Sequence, residues 1–321
     1  MSDSKGILAI ARKSIETEAE AIQNLASLLD DQFAKTVNCI LESKGRVVIS
    51  GIGKSAIIAS KIVATLNSTG TPAIFMHAAD AIHGDLGTIQ KDDIVICISK
   101  SGNTPEIKML VPLIKIGDNT LIGMTGSTDS YLAQNADYTL NTFVEKEACP
   151  NNLAPTTSTT AQLVIGDALA ICLLELRGFS QKDFAKYHPG GTLGKKLYLR
   201  VADIAKNNLK PQVGLDSSVK DVIVEISEKM LGATAVLEGK EIKGIVTDGD
   251  IRRMLNKYEN INGLNAKEIM STNPKTVESS LLAVRALEEM QTMGISQLLV
   301  VEKGNYIGVV HLHNLIQEGI L

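Results

Sequence analysis

The sequence lacks an excess of either charge: its 321 residues carry 32 Lys and Arg against 36 Asp and Glu, a net charge of -4, which leaves no electrostatic footprint for nucleic acid. It also lacks paired cysteines. Cys39, Cys97, Cys149 and Cys172 stand singly, mainly in apolar contexts, which argues for reduced thiols over disulfides or a zinc site, with Cys149 beside Pro150 held as the one nucleophile candidate. Residues 1–22 lack a basic segment followed by an apolar run and a small-residue cleavage site, and no later stretch stays apolar long enough to span a bilayer. These absences predict a cytoplasmic protein with no membrane or nucleic-acid partner. His83 with Asp85, and His188, offer imidazole to a divalent metal, but without a close-spaced pair such as HExxH no metal is expected to be required. What remains, 44% hydrophobic and 21% charged, is a folded soluble composition, and the length exceeds one ordinary core, so two or three domains are expected.

Ile15, Ala19, Ile22, Leu29, Phe33, Val37 and Ile40 fall at three- and four-residue steps, which predicts amphipathic helices over residues 7–45 with a stripe facing the core or another subunit. Beyond them, apolar β-branched runs at 46–50, 72–77, 93–99 and 119–125 alternate with helical patterns at 54–67 and 105–116, and a further helix is expected over 159–177. Short, doubly buried strands separated by helices predict an α/β fold with a parallel sheet between helical layers, whose ligands collect at the strands' carboxyl ends.

Three clusters suit an anion. Gly51-Ile52-Gly53-Lys54-Ser55 links a strand to a helix N-terminus, where backbone N–H groups, a hydroxyl and an ammonium converge. It is not a Walker A loop, because Val48 occupies the place of the first glycine. Nor is it a full dinucleotide fingerprint, since the acid due about 20 residues on is absent before Asp80. Ser99-Lys100-Ser101-Gly102-Asn103-Thr104 follows another strand and offers three hydroxyls ahead of Pro105, which starts a helix. Thr156-Thr157-Ser158-Thr159-Thr160 opens the third helix; each cluster alone is also a good helix cap.

The last third contains an internal repeat of roughly 60 residues. Asp203-Ile204, Leu215 to Val219, Ala233 to Leu237 and Gly244 to Ile251 recur in order as Glu268-Ile269, Val277 to Leu281, Ser296 to Val301 and Gly308 to Leu315. Each set resembles a CBS motif, a β-α-β-β-α unit that pairs with a second copy. CBS pairs commonly bind adenine nucleotides, so the resemblance implies a regulatory nucleotide whose ribose is held by Thr247 and Asp250 of the first copy. The matching places in the second hold His311 and Asn314, which supply no carboxylate.

The anion loops, with His83-Gly84-Asp85-Leu86-Gly87, Lys146-Glu147-Ala148-Cys149-Pro150 and His188-Pro189-Gly190-Gly191, resemble the sugar isomerase (SIS) domain. A SIS domain followed by two CBS motifs is similar to the family of D-arabinose 5-phosphate isomerases. That resemblance implies residues 1–45 as helices packing on a SIS domain at 46–195, then CBS copies at 201–258 and 264–321. It implies an enzyme that interconverts D-ribulose 5-phosphate and D-arabinose 5-phosphate without an organic cofactor, as a homotetramer, in the supply of Kdo for lipopolysaccharide. The catalytic positions it carries over are Lys54, His83, Glu106, Glu147 and His188, with Gly53, Ser55, Ser99, Ser101, Asn103, Thr104, Thr156 and Ser158 on the phosphate. Aldose–ketose exchange through a cis-enediol needs a carboxylate base and groups that stabilise the enediolate, which matches those residue types. Glu147 ranks first as base and Glu106 second. His83 and His188 suit proton transfer or ring opening, and Lys54 suits the phosphate or the enediolate. Two positions depart from the family loop: Lys100 stands where a neutral residue is common and Asn103 where an acid is common. A non-catalytic sugar-phosphate sensor would bring a helix-turn-helix and lack this acid/base set. An isomerase of another sugar phosphate shares the loops but typically lacks CBS motifs.

Overall fold

The computed structural model describes residues 4–320. Two compact units divide between Phe184 and Ala185. The first comprises α1 (Ser4–Leu25), α2 (Asp31–Glu42), β1 (Val47–Gly51), α3 (Lys54–Ser68), β2 (Ala73–His77), α4 (Ala78–Ala81) and β3 (Ile94–Ile98). It continues with α5 (Pro105–Ile116), β4 (Leu121–Thr125), α6 (Tyr131–Asn135), β5 (Tyr138–Asn141) and α7 (Thr157–Leu176).

Every residue of β1, β3 and β4 is buried, as expected of strands covered on both faces. The five strands are all parallel in the order β2-β1-β3-β4-β5. Val47 and Ile49 point to one face, where Val37 and Ile40 of α2, Ile62 and Leu66 of α3, and Ile165 and Leu169 of α7 complete the core. Val48 points to the other, against Ala78 of α4 and Ile107, Leu110 and Ile114 of α5. This is the expected three-layer arrangement. Gly166 lets α7 close on α3, for a Cβ there would stand 2.3 Å from Ile62 Cδ1.

The winding reverses between β1 and β3, so the loops after these two neighbouring strands flank the crevice where sheets of this type hold ligands. Within the amphipathic stripe Val37 and Ile40 are core, while Ile15 and Leu29 are exposed. One expectation changes. Helix α7 is long and apolar enough to cross a membrane, where none was expected, although much of it packs against the sheet.

Helix α8 (Gln181–Tyr187) spans the division, and the second unit continues with α9 (Thr192–Tyr198), α10 (Val201–Ala205), β6 (Gln212–Gly214), α11 (Val219–Lys229), β7 (Ala233–Glu238), β8 (Glu241–Thr247) and α12 (Asp248–Lys257). Then come α13 (Ala266–Ile269), β9 (Ser271–Thr272), β10 (Thr276–Glu278), α14 (Ala283–Met293), β11 (Gln297–Glu302), β12 (Asn305–His311) and α15 (Leu312–Gln317). The first unit ends short of the expected 195, because α9 packs on the second: Lys195 pairs with Glu318 at 2.7 Å, and Ala283 N–H donates to Leu199 O at 2.8 Å.

Both repeats form the expected strand–helix–strand–strand–helix unit, but their leading helices are exchanged. Val201 and Ile204 of α10 pack in the core of the second repeat, while Ala266 and Ile269 of α13 pack in that of the first. β9, just after α13, pairs antiparallel with β8 of the first repeat.

Candidate active site

The loops after β1, β2, β3 and β5 carry Lys54, His83, Glu106 and Glu147 in turn, all leaving the carboxyl edge of the sheet. Lys54 is the first residue of α3 and is exposed; its N-cap Gly53 has φ +59°, a left-handed conformation that favours glycine. Ser55 Oγ donates to Gln162 Oε1 at 3.1 Å, tying the loop to α7. His83 is exposed in the turn after α4. Glu106 is half-buried in the first turn of α5, where a carboxylate suits the helix dipole.

Residues 99–104 form a tight, self-bonded loop. The buried Ser99 Oγ accepts from Gly102 N–H at 3.1 Å, and Ser101 Oγ accepts from Asn103 N–H at 3.2 Å. Asn103 Oδ1 accepts from Tyr131 N–H at 3.2 Å, an amide that an acid at this position could also receive. Thr104 is the N-cap of α5. Gly102 has φ +62°, and a Cβ there would lie 2.0 Å from Ser130 Oγ.

Glu147 follows β5, its side chain fully buried. One carboxylate oxygen accepts Lys100 Nζ at 2.6 Å and Ser158 Oγ at 2.6 Å. The other accepts Thr156 N–H at 2.9 Å, Ser158 N–H at 3.1 Å and Thr156 Oγ at 3.2 Å. Burial alone would raise its pKa, but Lys100, Ser158 and the two amides outweigh it and bring the group down to about 2. The carboxylate thus caps α7 and joins it to the loop after β3.

The hydroxyls read from sequence as phosphate donors are in part committed elsewhere. Thr156 and Thr157 Oγ accept from Ala148 N–H at 3.1 and 3.0 Å, and Thr156 and Ser158 donate to Glu147. For Cys149, backbone N–H groups of Ala154, Leu153 and Asn151 draw the thiol below its ordinary range.

His188 belongs to the second unit, half-buried in the turn 188–191 that packs on α9, where a Cβ on Gly194 would meet His188 O at 2.3 Å. Also in that unit, Asp250 accepts Thr247 N–H and Oγ at 2.8 and 2.6 Å, Arg253 Nη2 at 2.5 Å and Ser271 Oγ at 2.9 Å. His311 and Asn314 make the corresponding cap of α15, with His311 N–H donating to Asn314 Oδ1 at 3.0 Å. Among the described residues, no group of three or more His, Cys, Asp or Glu is placed to hold a metal ion.

Sequence reasoning missed one contact and one participant. Lys100 is legible as a departure from a family loop, but not its pairing with Glu147, which lies 47 residues away. Gln162, fully buried with its Nε2 unpartnered among the described residues, had one signal: a polar residue in the apolar run of α7.

A doubly wound sheet with a hydroxyl-rich loop at its switch point, followed by interlocked β-α-β-β-α repeats, defines a SIS-domain protein with a CBS pair. The SIS domain matches residues 40–172 and the CBS domain residues 201–257 and 266–320. The chain is 44% identical to the arabinose 5-phosphate isomerase KdsD of Pseudomonas aeruginosa, over 100% of this chain and 99% of that one. It is 47% identical to the KdsD of Francisella tularensis, over 96% and 95%. The E. coli CFT073 protein c3406, solved in complex with arabinose 5-phosphate, is 41% identical with a TM-score of 0.57 and covers 58% of this chain and 100% of its own. The chain belongs to the arabinose 5-phosphate isomerase family and is an enzyme of that class.

Proposed function

We propose that this chain interconverts D-ribulose 5-phosphate and D-arabinose 5-phosphate through a cis-enediol. The observation that carries the reading is the end-to-end likeness to arabinose 5-phosphate isomerases, joined to a carboxylate lodged beside the anion loop. Residues 99–104, with Gly53 and Ser55 at the head of α3, seat the phosphate; Thr156 and Ser158 hold Glu147 toward it. Glu147 removes the proton from C2 of the aldose and returns it to C1, and the reverse reaction runs from C1 to C2. Glu106 is the second candidate base. Lys54 balances the enediolate charge, and His83 moves protons between the two oxygens. His188 is retained for ring opening on the strength of the family motif alone.

No cofactor enters this chemistry. The product supplies Kdo for lipopolysaccharide from the cytoplasm, and the assembly is a homotetramer, which would cover the exposed Ile7, Ile10 and Ile15 of α1. An adenine nucleotide at the CBS pair would engage the first repeat through Asp250, where it must displace the bonds from Thr247, Arg253 or Ser271. The test is incubation of the purified chain with each sugar phosphate in the presence of a chelator. Formation of the other isomer supports the reading, and no interconversion rejects it.

A further inference from the structure

Lys100 and Glu147 form an asymmetric pair. The lysine side chain is 46% exposed and the glutamate side chain 0%. The backbone of Lys100 is fixed, since its carbonyl accepts Gly126 N–H at 3.0 Å and Thr125 Oγ at 3.3 Å, so only the flexible stem is free to turn. The ammonium can reach another anion at little desolvation cost. The buried carboxylate cannot follow, because Thr156 and Ser158 hold it with four further hydrogen bonds. Lys100 also belongs to the loop that follows β3, beside the exposed Ser101 and Asn103.

We infer that Lys100 is a positioning residue with two competing partners: its ammonium holds Glu147, and a phosphate monoester seated in residues 99–104 takes that ammonium over, leaving the carboxylate located but unpaired. A phosphate dianion offers more charge and more acceptor oxygens than one carboxylate oxygen, so it wins the exchange. The consequence is chemical. Held by its cation and four further hydrogen bonds the carboxylate is a poor base, whereas loss of the cation removes one of the contributions that keep its pKa low and moves it upward, toward the range useful for proton transfer. The lysine thereby couples seating of the phosphate to the basicity of Glu147.

This inference rests on the proposed assignment of the 99–104 loop to phosphate, but its test uses binding without turnover. Inorganic phosphate is titrated calorimetrically into the full-length wild type, Glu147→Gln, Lys100→Met and the double variant at one pH and salt concentration. Competition predicts that Glu147→Gln binds phosphate roughly fivefold to tenfold more tightly, since Lys100 is released, and that Lys100→Met binds roughly tenfold more weakly. The double variant should match Lys100→Met, and Lys100→Arg should restore most of the affinity. Should Glu147→Gln not fold, Glu147→Asp, one methylene shorter, should also bind more tightly. Weaker or unchanged binding in Glu147→Gln, a double variant that still gains, or no phosphate binding by the wild type would each overturn the inference. A wild type that binds phosphate with these responses yet fails to isomerise the pentose phosphates counts against the proposed reaction alone.

Discussion

Glu147 and Asp250 are both buried carboxylates, and each accepts a backbone N–H, hydroxyls and one cation. They differ in where those partners come from. Asp250 takes most of its bonds from Thr247 and Arg253, three residues away on either side, so it closes a local capping box at the start of α12. Glu147 takes its bonds from Lys100, Thr156 and Ser158, and so ties the loop after β3 to the first turn of α7. A carboxylate that joins two loops at the sheet's carboxyl edge affects how those loops move together; one that serves its own helix affects mainly that helix.

The largest expected effect separates the two directly. Glu147→Gln should lower turnover by roughly 10²- to 10⁴-fold while retaining phosphate, and Asp250→Asn should leave turnover nearly unchanged in the same assay. Unchanged turnover in Glu147→Gln would remove it as the base and pass the role to Glu106.

Acid provides the next test. Glu147 titrates near 2 in the folded chain against an ordinary 4.5, so the unfolded chain binds its proton first as pH falls. Its contribution, on the order of 3 kcal/mol, should be full above about pH 4.5 and lost progressively toward pH 2. Denaturant melts across that window should show a smaller loss for Glu147→Gln than for the wild type. Asp250 and Asp93 are also lowered, the former by Thr247 and Arg253 and the latter by Arg46 and the Gln90 amide, in both cases against burial. Their losses should persist in the Glu147→Gln protein, which sets the baseline for the comparison.

Smaller effects follow. Gly102→Ala should cost roughly 1–3 kcal/mol and weaken phosphate binding, because the new Cβ meets Ser130 Oγ at 2.0 Å in a left-handed conformation. Thr247→Ala should cost about 1 kcal/mol through loss of the α12 cap and leave phosphate binding untouched. A fall in phosphate affinity there would mean that the local cap reaches the sugar-phosphate site.

The sheet was legible because β1, β3 and β4 are continuous apolar runs, which only a doubly covered strand requires. β5 was not, since Tyr138, Thr139 and Asn141 are only half-buried at the sheet's edge and dilute the apolar signal. The CBS repeat was legible as matched blocks. The exchange of α10 and α13 was hidden, because a block's sequence position does not state which core it enters. At the site, the residue types and loops could be read, but which hydroxyls stay available could not. Thr156 and Ser158 look the same in sequence whether they face a phosphate or Glu147, and only the folded path of residues 147–158 decides.

The most direct test of the proposed reaction follows D-arabinose 5-phosphate in deuterated water with the purified chain by proton NMR. D-ribulose 5-phosphate is expected to appear, with deuterium entering C1 as the carboxylate exchanges the proton it carries from C2. Arabinose 5-phosphate that persists unchanged, with neither ketose nor deuterium incorporation, would contradict it.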